Sequence, residues 1–139
     1  MRIFENIDCM EGMQKYKDVL LSRNTLAIVD PPYGINIDRR QEQLAGKKIG
    51  NNGGRYKQYH KTSWDESPPH VEYFNKLFGM GKNQIIWGGN YFHDVKLEGV
   101  IIWHKGVNGS FKEGELAKTS FNTFRVYSYS RADAYINGF

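Results

Sequence analysis

The chain has 139 residues, a hydrophobic content of 40%, an aromatic content of 14% and a formal charge of +4 at pH 7, which fits one folded domain and excludes a disordered or low-complexity chain. Its longest apolar runs, such as Ile85–Trp87 and Val100–Trp103, are far too short to cross a bilayer, and the first residues lack the apolar core and cleavage site of a secretory signal. A single cysteine, Cys9, excludes an internal disulfide, so a reducing, cytoplasmic setting is expected.

In chain order, Met13, Tyr16, Val19 and Leu20 recur at helical spacing, so Glu11–Leu20 reads as a short amphipathic helix. Thr25–Val29 is an apolar run rich in branched residues and stopped by proline. It reads as a strand buried on both faces, as in a parallel sheet. Directly after it stand Asp30, Pro31, Pro32 and Tyr33, followed by Gly34.

Residues 35–62 are rich in Gly, Asn, Lys and Gln and have little periodicity, which predicts a long flexible loop. The positive charge concentrates here. Arg39, Arg40, Lys47, Lys48, Arg55, Lys57 and Lys61 face only Asp38 and Glu42. A polyanion such as DNA is the partner this pattern fits, the alternative being a solvated basic loop.

Beyond it, Ser67-Pro68-Pro69 reads as a serine N-cap followed by proline at the first helical position, with Val71, Phe74, Leu77 and Phe78 as one apolar stripe and Gly79 as the stop. Gln84–Trp87 and Gly99–Trp103 are short buried strands. Phe121–Tyr129 alternates, with Phe124, Val126 and Ser128 on one side and Arg125, Tyr127 and Tyr129 on the other, as an edge or antiparallel strand does. The pattern is α/β.

In open α/β sheets, ligands bind beyond the carboxyl ends of the strands, the position Asp30 would hold. The two prolines remove N–H donors and leave carbonyl and carboxylate acceptors, and Tyr33 adds a flat ring. Acceptors beside a stacking surface suit a planar group with an exocyclic amine, such as a nucleobase. A proline turn with a local Asp hydrogen bond is the plainer alternative.

Asp30-Pro31-Pro32-Tyr33 resembles the catalytic motif of the DNA amino-methyltransferases, which transfer a methyl group from S-adenosyl-L-methionine to adenine N6 or cytosine N4. The segment Asn6–Met13 resembles the family's opening strand and turn, Gln84–Phe92 and Val100–Gly106 resemble its later sheet strands, and Glu115–Ser120 and Phe121–Ser130 are similar to phage-type members. The resemblance implies a flipped base whose amino group donates to Asp30 and to the Pro31 carbonyl, with Tyr33 stacked on the ring. Asp30, Pro31, Pro32 and Tyr33 are then the catalytic residues, with adenine N6 preferred.

It also implies double-stranded DNA as substrate and a bacterial or phage-encoded, cytoplasmic enzyme. Asp8, with Asp30, is a candidate for the cofactor side, although an Asp in such a turn is equally a helix cap. Gly88-Gly89 either admits a ligand or forms a turn. His104 stands where the family pattern Trp-Asp-Lys has its acid, between Trp103 and Lys105. Trp87 and Trp103 read as core or pocket-wall residues, and Cys9 as a half-buried structural thiol.

The family's glycine-rich cofactor loop has no counterpart in the sequence. The expectation is therefore a partial Rossmann-like sheet lacking the strands that carry that loop, with an open edge prone to self-association or to pairing with a complementary C-terminal half. Truncation is the favoured explanation, a two-piece enzyme and a degenerate copy being the others. A non-catalytic nucleic-acid-binding module is the competing function. No metal site is expected, because the four histidines and Cys9 lack ligand spacing.

Overall fold

β1 (Leu26–Val29) runs parallel to β4 (Asn83–Trp87), and this pair sets one side of a five-stranded mixed sheet. The computed structural model describes residues 2–22, 24–37, 44–49, 54–55, 63–106 and 113–130. It divides into two units, Met1–Pro31 with His70–Phe139, and Pro32–Pro69.

In the larger unit the expected first helix is two short ones, α1 (Cys9–Lys15) and α2 (Lys17–Leu20), parted at Tyr16, whose φ of −105° and ψ of 20° leave the helical region. The stripe is correspondingly incomplete, since Met13 is buried while Val19 is exposed. Cys9 is exposed rather than half-buried, because it occupies the first turn of α1.

The next helix, α3 (Val71–Phe78), begins three residues later than Ser67-Pro68 implies. Pro69 disfavours helical geometry in Pro68 before it. His70 caps the helix instead, its Nδ1 accepting from the Glu72 amide at 3.5 Å. Phe74 and Leu77 are buried, as their spacing requires, and Gly79 caps the other end in a right-handed conformation.

The sheet order is β1-β4-β6-β5-β7, with β5 at Gly99–His104, β6 at Gly114–Thr119 and β7 at Phe124–Ser128. β6 is antiparallel to both neighbours, β4 and β5, and β7 is parallel to β5. Four strands therefore share one direction and β6 alone opposes them.

β6 had no apolar signature in the sequence, yet it lies at the centre, and its Ala117 and Thr119 are fully buried. Gly99 is obligatory beside it, since a Cβ there would sit 2.1 Å from both Thr119 Oγ1 and the Phe121 carbonyl. The core joins Met13, Phe74, Leu77, Met80, Ile86, Phe92, Val95 and Ala117. Its aromatic part centres on Phe74, 5.0 Å from Phe92 and 5.1 Å from Tyr73 between ring centroids.

β1 departs from the doubly buried strand expected of it. It lies at an edge of the sheet and pairs with β4 alone among the described strands. Leu26 and Ile28 are exposed, Ile28 at 62%, because no described element covers that face. β7 is exposed along its whole length at the opposite edge.

In the smaller unit, part of the expected loop is ordered as a two-stranded antiparallel ribbon, β2 (Lys48–Ile49) with β3 (Gly54–Arg55). The described residues hold no helix long and apolar enough to cross a membrane.

Candidate functional site

Asp30 follows the last residue of β1. Because Val29 is paired with Ile86, the next step of the ladder sets Asp30 level with Trp87. The four parallel strands all point their carboxyl ends to the same end of the sheet, so Asp30, Gly88, Lys105 and Tyr129 follow β1, β4, β5 and β7 along one rim. That rim is where open α/β sheets bind ligands.

Asp30 is exposed there, while Pro31 is buried and holds the chain at the strand end. Pro32 and Tyr33, both half-buried, open the smaller unit. All peptide bonds in the motif are trans.

Tyr33 leads into a turn organised by Asp65, a residue the sequence did not single out. Asp65 is only 3% exposed. Its Oδ1 accepts from the Gly34 amide at 2.9 Å and its Oδ2 from the Ile37 amide at 3.1 Å, while its carbonyl accepts from the Asn36 amide at 3.0 Å. A buried carboxylate is tolerated when hydrogen bonds replace its water, and here both oxygens are served by backbone N–H groups.

Gly34 takes φ +70°, and a Cβ there would stand 2.5 Å from Pro68 Cδ, so glycine is required on two counts. The available signal for Asp65 was slight: an acid beside Trp64 just after a strongly basic stretch.

The remaining candidates make the following contacts. Asp8 caps α1, its Oδ1 accepting from the Met10 amide at 2.8 Å and the Glu11 amide at 3.3 Å. Gly88 adopts φ +65° and its amide donates to the Leu116 carbonyl at 2.8 Å, forming the turn after β4. Gly89 is packed on Lys118, whose Cγ lies 2.4 Å from where a Cβ would be. The glycine pair is thus used for packing within the sheet.

Trp103 donates its indole N–H to the Tyr129 carbonyl at 2.8 Å and ties β5 to the end of β7. Lys105 pairs with Glu115 across β5 and β6 and lies 5.2 Å above the Trp103 ring. His104 Nδ1 is 3.5 Å from Ser128 Oγ.

Of the basic residues, Lys47 is exposed in the turn before β2. The ribbon register pairs Lys48 with Arg55. Arg39, Arg40, Lys57 and Lys61 lie outside the described residues. Among the described residues no group of three or more His, Cys, Asp or Glu is placed to hold a metal ion. Comparison with protein-family models, with curated proteins and with solved structures finds no match to this chain.

Proposed function

We propose that the chain is the base-handling part of an S-adenosyl-L-methionine-dependent DNA amino-methyltransferase, acting by preference on adenine N6, with a Rossmann-like sheet as its frame. The observation that carries the reading is the place of Asp30-Pro31-Pro32-Tyr33: it begins at the carboxyl end of β1, on the rim to which all four parallel strands point.

There the Asp30 carboxylate and the Pro31 carbonyl serve as acceptors for the two hydrogens of a base amino group. Accepting both draws the nitrogen lone pair out of conjugation with the ring and makes it nucleophilic. Orientation and electrostatics supply the acceleration. Tyr33 provides the stacking surface for a base swung out of its helix. The basic segment supplies phosphate contacts through Arg39, Arg40, Lys47, Lys48, Arg55 and Lys57.

We assign Asp30 and Asp8 to the methyl-donor side, Asp8 also capping α1 through its Oδ1.

Replacing Asp30 by alanine tests the reading. Transfer of labelled methyl groups to duplex DNA should fall by about 10²-fold or more, the scale of losing one preorganised polar group, while DNA affinity stays within a few-fold. Binding without methyl transfer by the unaltered chain, even with a supplied C-terminal half, would instead mark a non-catalytic DNA-binding module. Unchanged transfer by the variant would remove Asp30 from the chemistry.

A further inference from the structure

We propose that Asp65 is a positioning residue for Tyr33, fixing the backbone turn that carries it. The proposal rests on the reading that Tyr33 meets a base, and adds the residue that fixes how it does so. Tyr33 stands between two backbone constraints. Pro32 locks the torsion before it, and Gly34 after it sits at φ +70° against Pro68.

Glycine holds this left-handed conformation without strain, and Asp65 engages the turn at Gly34, Asn36 and Ile37. Rotating the turn would strand a buried carboxylate at 3% exposure together with backbone donors, which is strongly unfavourable. The backbone that carries Tyr33 is therefore ordered before any ligand arrives. A turn held in advance loses little backbone entropy on binding, which is where preorganisation would gain affinity for a flipped base.

The geometry also ranks the substitutions. Asp65→Asn keeps an acceptor for one amide and turns an NH2 group toward the other. Asp65→Ala removes both acceptors.

The test uses the full chain and a mismatched DNA duplex carrying 5-iodouracil at the mismatch, where extrusion is easiest. Irradiation links the halogenated base to an aromatic ring stacked on it, and peptide mapping locates the link. Overall affinity is read separately by fluorescence anisotropy, and exchange of the Gly34, Ile37 and Ile86 amides by NMR.

With the unaltered chain, crosslinking should map to Tyr33. Asp65→Ala should lower that yield about fivefold or more, speed exchange at Gly34 and Ile37 and leave Ile86 protected, with affinity within about twofold because phosphate contacts dominate it. Asp65→Asn, the milder change, should fall between and serves if the alanine variant does not fold. Faster exchange at Gly34 and Ile37 with undiminished crosslinking at Tyr33 would overturn the role of Asp65 alone. Absence of any Tyr33 crosslink in the unaltered chain would overturn the base-stacking reading and this proposal with it.

Discussion

Val29 at the end of β1 is paired in parallel register with Ile86, a strand residue with no solvent exposure. The pairing couples the motif to a fully buried point of the sheet: Asp30 is the next residue along. Ile86→Ala should cost about 2–5 kcal/mol, the range for emptying a packed aliphatic site, as read from urea denaturation. A cost below about 1 kcal/mol would show that the core around β4 repacks freely.

The motif end of β1 was legible because proline and Asp interrupt a branched apolar run, a local signal. So were β4, β5 and α3, whose Phe74 and Leu77 sit at helical spacing. β6 was not legible. Gly-Glu-Leu-Ala-Lys-Thr has mixed polarity because Glu115 answers Lys105 and Lys118 covers Gly89, and both are relations between strands. Asp65 was hidden for a similar reason: its partners at Gly34 and Ile37 lie 31 and 28 residues away. The cap that Asp8 forms became visible only with the helix it starts.

Gly34→Ala should destabilise the turn. The new Cβ meets Pro68 at 2.5 Å and the left-handed φ is unfavourable for alanine, together costing at least about 1–3 kcal/mol. Thermal denaturation measures the loss. An unchanged midpoint would mean that the turn can adopt another conformation cheaply.

The Tyr73 phenol is pushed up to about 12, first by burial and second by its electrostatic interaction with Cys9. The native state thus keeps a proton that the unfolded chain releases near pH 10, so the native form binds more protons in this window. Stability contributed by this group is complete below pH 10 and is lost as pH rises from 10 toward 12. Ultraviolet titration should show a late tyrosine ionisation, and Tyr73→Phe should remove that step. A titration curve that Tyr73→Phe leaves unchanged in its late part would contradict the burial.

The β1 edge offers Leu26 and Ile28 to solvent without a charge or a proline among Leu26–Val29. Such an edge invites another strand. Ile28→Lys should leave stability within about 0.5 kcal/mol, as surface changes do, and should abolish concentration-dependent association in sedimentation velocity. Equal association by both chains would place the contact elsewhere, with the fully exposed β7 as the next candidate.

The antiparallel insertion of β6 between β4 and β5 also bears on synthesis. β4 leaves the ribosome well before Gly114–Thr119 does, and in the finished sheet β4 and β5 never pair directly. A nascent chain carrying β1 to β5 therefore has two strands waiting, each with an unfilled side where β6 will lodge. Direct pairing of β4 with β5 is the obvious wrong turn for that intermediate, and nascent chains with unpaired strands are the species that aggregate or recruit chaperones. The middle of the sheet is filled only once Gly114–Thr119 is available to pair with both β4 and β5.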